Sequence, residues 1–237
     1  MGVGGFKVLL TREFLQKADC GTSFGCIEEN LLLTPQQRAD SLDQTLSRRP
    51  DSPVWVFGYG SLMWNPVFNP EEARLATLSG WQRAFCLRLT AGRGTAAQPG
   101  RMLALTPGGK TTGMAFRLPE ASLREDLELL WKREMITGCY RPEWCDLHCQ
   151  NGDIVTALVF VSQEKHPLIE ADTCIHRVAP LIAKASGPLG TNAQYLFALE
   201  DALKKHGMVD ECLTALARRV RELQEQTHPE QGDWWGV

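Results

Sequence analysis

Between Trp81 and Leu89 the chain alternates, with Trp81, Arg83, Phe85, Leu87 and Leu89 on one side and Gln82, Ala84, Cys86 and Arg88 on the other. A period of two is that of a β-strand with two differently used faces. The apolar run from Val54 to Phe57 reads as a shorter strand that stops at Gly58. Met102–Leu105 and Thr112–Leu118 read as two more, around a turn at Pro107-Gly108-Gly109. Glu143–Cys149 and Ile154–Val161 form a second hairpin that turns near Asn151-Gly152. Between the hairpins the period changes. Leu123, Leu127, Leu130 and Glu134 are spaced i, i+4, i+7 and i+11 within a predicted helix over 121–135. Three further helices are predicted around 170–185, 192–206 and 210–226.

Ahead of the first strand, residues 11–50 read as a helical N-terminal extension. Thr34-Pro35-Gln36-Gln37 is a helix start: threonine as N-cap, proline in the first turn, glutamine three residues after the cap. Ala39, Leu42 and Leu46 then form a thin apolar stripe, and Arg48–Pro53 is a polar, proline-punctuated linker. The chain thus divides into an extension with its linker (1–53), a core domain (54–226) and a tail (227–237). Hairpins with segregated helices predict an α+β fold built on an antiparallel, barrel-like sheet.

Composition narrows the setting. With 237 residues the chain can hold one sizeable domain with helical extensions. Its 43% hydrophobic and 22% charged residues exclude a wholly disordered chain. A net charge of −3 gives no reason to expect nucleic acid or an anionic membrane as partner. No apolar run is long enough to span a bilayer. Met1–Leu10 lacks a long apolar core and has Phe6 where a myristoylation site needs Ser or Thr, so neither signal is expected. The eight cysteines are scattered without a Cys-x-x-Cys, which reads as reduced thiols in a cytoplasmic protein. Cys145, His148 and Cys149 are the one metal-like grouping, and strand spacing puts the histidine on the face opposite the cysteines. No metal and no other cofactor is expected. Trp234 and Trp235 near the C-terminus hint at a docking element.

Candidate chemistry concentrates in Val56-Phe57-Gly58-Tyr59-Gly60-Ser61-Leu62-Met63-Trp64-Asn65-Pro66. Two closely spaced glycines end the strand and deliver Tyr59 and Ser61 before the chain turns at Asn65-Pro66. Glycine can take positive φ and lets a ligand approach the main chain, so the N–H groups here are suited to an anion. Ser61 is a poor candidate nucleophile. Its surroundings lack the Gly-x-Ser-x-Gly pattern of a nucleophile elbow, and no spacing ties His148, His166 or His176 to it as a base. Glu134 sits on the apolar stripe in the last turn of its helix, where desolvation and the negative helix end both favour the protonated form. Such a carboxyl is suited to proton transfer near neutral pH. Spacing alone equally allows a solvated carboxylate paired to a basic neighbour, with Lys132 and Arg133 pointing elsewhere around the helix.

The string Phe57–Leu62 resembles the signature of the γ-glutamylcyclotransferases, and the run through Trp64 resembles their ChaC branch, which acts on glutathione. The resemblance continues through Arg93-Gly94-Thr95, Pro99-Gly100-Arg101, Gly113–Pro119, Trp131-Lys132-Arg133-Glu134 and Gly187–Leu196, covering roughly Trp55 to Leu203 in collinear order. It implies a small, mostly closed β-barrel flanked by helices. It aligns Glu134 with the catalytic glutamate of the family. It assigns the loop of Val56, Phe57, Gly58, Tyr59, Gly60, Ser61 and Leu62 to the α-carboxylate of a γ-glutamyl group. Tyr195, just after a plausible N-cap at Thr191-Asn192, becomes a substrate contact, although a core tyrosine fits nearly as well. Arg93 and Arg101 in the glycine-rich 91–101 loop are candidates for the carboxylate of a Cys-Gly portion, against solvated loop arginines.

The implied reaction is an internal aminolysis. The α-amine of the substrate attacks its own γ-carbonyl, giving 5-oxoproline and, from glutathione, free Cys-Gly. The protein need only fold the substrate and supply one carboxylate that takes and returns a proton. Two other readings stay open: the same chemistry on broader γ-glutamyl amino acids or amines, and a binding module that senses such compounds without turnover. After Glu134 the chain reads Met135-Ile136-Thr137-Gly138-Cys139-Tyr140, longer than in other branches, which bears on the pocket wall and on substrate range.

Overall fold

The structure, a computed structural model, describes residues 10–17, 23–51 and 53–227. Trp234 and Trp235, with nearly all of the predicted tail, lie outside the described residues. Five strands close into a barrel. Around it run β1 (Trp55–Gly58), β3 (Gly100–Arg117), β2 (Glu72–Leu89), β4 (Tyr140–Cys149) and β5 (Ile154–Ser162). Neighbours are antiparallel except β1 and β5, whose parallel pairing closes the barrel. All four β1 residues are buried. That is why this strand reads as a continuous apolar run rather than an alternation.

The long β2–β3 ribbon departs from expectation. Pro107-Gly108-Gly109 does not turn the chain; it lies inside one 18-residue strand, with Pro107 opposite Trp81 and Lys110 opposite Ser79. Gly80, Gly108 and Gly109 all take positive φ at this register shift, which makes the feature a bulge that bends both strands. A proline is tolerated there because the ladder is already interrupted. The half of β2 from Glu72 to Gly80 has little apolar alternation to reveal it, since only Ala76 and Leu78 are buried. The β4–β5 hairpin turns at the expected place, with the Gly152 N–H donating to Cys149 O at 3.0 Å. On β4, Leu147 and Cys149 face inward and His148 faces solvent.

Helices pack outside the barrel. The α3 helix (Leu123–Glu134) buries Leu123, Leu127 and Leu130, each worth about 1.5–3 kcal/mol when fully removed from water. Then come α4 (Ile175–Lys184), α5 (Asn192–Lys205) and α6 (Glu211–Thr227). Among the described residues no helix is long and apolar enough to cross a membrane. The N-terminal extension is less helical than its composition suggests. Its described residues hold α1 (Arg12–Lys17), one 3-10 turn at Glu29–Leu31, and α2 (Pro35–Leu46). Gly25 at φ 99° breaks any continuous helix between them. The predicted capping box on α2 is present: Thr34 Oγ1 accepts from Gln37 N at 3.1 Å, and Gln37 Oε1 accepts from Thr34 N at 2.8 Å. The same device starts α5, between Thr191 and Gln194.

Candidate active site

A cavity of about 220 Å³ opens where the end of β1, the turn after it, the end of α3 and the 90–93 loop meet. Of the residues singled out from sequence, Phe57, Tyr59, Gly60, Ser61, Leu62, Arg93, Glu134 and Tyr195 line it. Val56, Gly58 and Arg101 do not. Val56 is fully buried in the barrel wall, paired with Phe116 and Leu158. No histidine is among the described residues that line the cavity.

The two glycines are needed for space, not for positive φ. A Cβ on Gly58 would stand 2.8 Å from Cε2 of Phe116. One on Gly60 would stand 3.1 Å from the Tyr195 hydroxyl and 3.3 Å from Leu103 Cδ2. Neither glycine has positive φ. Beyond Gly60 the chain makes one 3-10 turn over Ser61–Met63, whose first bond runs from Met63 N–H to Gly60 O. The N–H groups of Ser61 and Leu62 precede that bond and have no acceptor within the turn. Tyr59 is tied down at both ends: its hydroxyl donates to Phe160 O at 2.6 Å, and its carbonyl accepts from Arg83 Nε at 2.8 Å. Arg83 is not a cavity residue; its other nitrogens reach Thr112 O at 2.5 Å and Asp210 Oδ2 at 3.3 Å. In a trans peptide the N–H points opposite to the C=O. Holding the Tyr59 carbonyl from outside therefore directs the Gly60 N–H away from Arg83.

Glu134 ends α3 with its side chain 17% exposed. Burial pushes its carboxyl above the ordinary range, and the adjacent Arg133 cation partly opposes that. Arg133 is the main residue that sequence reasoning misplaced. It does not point elsewhere but lines the cavity, with Nε 3.1 Å from Glu134 Oε1 and Nη1 donating to Asn65 O at 2.7 Å. Its Nη2 donates to Ser61 Oγ. A second buried row explains this. Asp126, Leu129 and Arg133, spaced i, i+3 and i+7, are all buried, because α1 and the 61–65 turn cover that side of α3. That spacing was visible in the sequence, but two of its three members are charged.

Tyr195 faces the cavity from the first turn of α5, edge-on to Trp64 with ring centroids 5.6 Å apart. Burial and then the Glu134 charge push its hydroxyl up to about 12, so it stays protonated and available as a donor. The two candidate arginines separate. Arg93 lines the cavity and donates to Thr191 O at 3.0 Å; burial lowers its pKa. Arg101 is buried elsewhere, clamped by Asn192 through its main chain at 2.7 and 2.9 Å, with its guanidinium 3.7 Å from Glu170. The expected pairing of both arginines in one subsite is therefore not what the fold builds. The longer segment after Glu134 does reach the site: Ile136, Thr137, Cys139 and Tyr140 are all cavity residues.

Barrel, glycine loop and the pair of half-buried Glu134 with buried Arg133 together define a small-molecule site on a closed α+β barrel. A family model described as ChaC-like protein matches residues 54–223, and the chain belongs to that family. It is 60% identical over 223 residues to the glutathione-specific γ-glutamylcyclotransferase of Escherichia coli K12, covering 94% of this chain and 96% of that protein. It is 30% identical to glutathione-specific γ-glutamylcyclotransferase 1 of Danio rerio, over 65% of this chain and 80% of the relative. In fold it is similar to a crystal structure of the yeast γ-glutamyl cyclotransferase specific to glutathione. The TM-score is 0.69 at 24% identity, over 75% of this chain and all of that one.

Proposed function

We propose that the protein cleaves glutathione by cyclising its γ-glutamyl group to 5-oxoproline and releasing Cys-Gly. The observation that carries this reading is a half-buried Glu134 with raised proton affinity, paired with Arg133, which in turn bonds Ser61, in a cavity walled by the glycine loop. The relationship to the Escherichia coli enzyme over nearly the whole of both chains supports it.

The α-carboxylate of the substrate sits against the Gly60–Leu62 N–H groups, within reach of the Arg133 charge. This fixes the neighbouring α-ammonium near Glu134. The Glu134 carboxylate takes one proton from that ammonium, and the neutral amine attacks the γ-carbonyl to close the five-membered ring. Tyr195, protonated throughout, donates to the developing oxyanion. Glu134 returns that proton to the amide nitrogen as the C–N bond breaks. It then takes the second proton from the new ring nitrogen and passes it to the released Cys-Gly amine, which leaves as an ammonium, so the carboxylate ends as it began. Arg93 meets the carboxylate of the departing Cys-Gly. The seven described cysteines are all free, which supports a reducing cytoplasmic setting.

Incubation of the purified protein with glutathione, followed by mass spectrometry, should show 5-oxoproline and Cys-Gly in equal amounts. Glu134→Gln should lose about 10²–10⁴ of the rate while still binding glutathione. Product from γ-glutamyl-alanine but not from glutathione would move the reading to a broader γ-glutamyl specificity. No product from any γ-glutamyl compound would leave only binding.

A further inference from the structure

The family match begins at residue 54, yet part of the cavity wall comes from before it. Leu10, Phe24 and Ile27 all line the cavity. The extension is bonded to three separate parts of the site. Leu10 O accepts from Asn65 Nδ2 at 3.1 Å, Phe24 O accepts from Gly92 N at 2.6 Å, and Leu33 N donates to Ile136 O at 2.9 Å. Arg12 fastens it further, pairing with Asp126 and Glu125 on α3 and donating to Val67 O at 3.3 Å. Phe14 meets Phe24 edge-on at 5.8 Å, and Leu15 and Phe24 are buried.

The three anchors fix how this wall runs. Leu10 hangs from Asn65, the residue whose carbonyl holds Arg133 beside Glu134, so it stands at the reacting end. Phe24 hangs from Gly92, next to Arg93, so it stands at the leaving-group end. Leu33 docks on the 135–140 segment, the stretch in which this chain differs from other branches. Every wall side chain is hydrocarbon. Such a surface complements a methylene and thiol but offers nothing to a charge, and its depth limits how large a side chain the leaving group can carry.

We propose that Leu10, Phe24 and Ile27 are specificity-determining residues, forming a wall that admits a compact cysteinyl leaving group and excludes γ-glutamyl amides with bulky side chains there. This rests on the function proposed above. The test uses the full chain with Phe24→Ala and Ile27→Ala, comparing kcat/KM for glutathione and for S-benzylglutathione. Opening the wall should raise the S-benzylglutathione to glutathione ratio by about tenfold or more, chiefly through KM. A gain on the bulky substrate is a result that loss of stability cannot produce. Ratios within about twofold of wild type in both folded variants would overturn the proposal. Phe24→Leu, which keeps hydrocarbon packing, serves if either alanine variant fails to show a cooperative unfolding transition. Its ratio should move the same way by a smaller factor, and an unchanged ratio overturns the proposal too. If wild type turns over no γ-glutamyl compound, the function reading fails on its own. The wall is then read from calorimetric Kd values for the same two ligands, with the same ratio expected.

Discussion

Arg83 does not line the cavity, yet its replacement should weaken substrate binding. Its guanidinium spans Tyr59 O at 2.8 Å, Thr112 O at 2.5 Å and Asp210 Oδ2 at 3.3 Å, with the side chain only 7% exposed. Arg83→Met keeps the stem and leaves two carbonyls without that donor. Each buried acceptor so stranded costs about 1–3 kcal/mol, so we expect a loss of about 2–6 kcal/mol in folding stability. For a domain of this size that is a fall of roughly 5–25 °C in Tm. The Tyr59–Gly60 peptide also becomes free to rotate, and the Gly60 N–H loses its fixed direction. If that N–H contributes a charge-assisted bond of about 1.5–3 kcal/mol to the substrate carboxylate, KM rises roughly 10- to 150-fold with kcat less affected. Arg83→Lys keeps the charge facing Asp210 but cannot fork to both carbonyls, so it should recover stability better than KM. The assay is steady-state turnover well below the Tm of each variant, alongside thermal denaturation. A folded Arg83→Met with unchanged KM would refute the argument that this arginine orients the loop.

Four other outcomes follow from the site. Because burial raises the Glu134 carboxyl, kcat/KM should fall with decreasing pH through a value above the ordinary carboxylate range. The same raised carboxyl contributes stability that is full below its unfolded pKa and lost as pH rises through its folded pKa. Glu134→Gln should therefore gain stability relative to wild type as pH rises from the ordinary carboxylate range through the raised folded pKa in urea titrations, and a constant difference would contradict it. Tyr195→Phe should lower kcat/KM about 10²–10³-fold without moving the pH profile, since the hydroxyl, pushed up to about 12, acts as donor and not base. Arg101→Met should cost about 1–2 kcal/mol of stability but leave KM for glutathione unchanged, whereas Arg93→Met should raise KM; equal KM effects would return Arg101 to the site.

Much of the fold was legible because it is written locally. The capping boxes at Thr34 and Thr191, the Asn151-Gly152 turn and the stripe Leu123–Leu127–Leu130 each depend on residues within a few positions of one another. Glu134 and the Phe57–Leu62 loop were legible for the same reason, as a carboxylate on an apolar stripe and a strand broken by glycines. Even there the reasons differed: Gly58 is kept bare by the Phe116 ring and Gly60 is crowded by Tyr195 and Leu103, neither through a positive φ.

Sequence periodicity reports which face of an element loses water, not what covers it. Arg133 turned inward because α1 and the 61–65 turn roof over a second side of α3. Arg101 left the predicted subsite because Asn192, 91 positions away, fastens its main chain into a different part of the fold. Arg83 reaches Tyr59, Leu10 meets Asn65 and Phe24 meets Gly92 across separations that no local pattern encodes. Those contacts exist only once the barrel has closed and the described part of the N-terminal extension has packed against Asn65, Gly92 and α3. Short-range propensity specified the pieces and put Glu134 on its stripe, and long-range packing chose the charges beside it and the residues that wall the cavity.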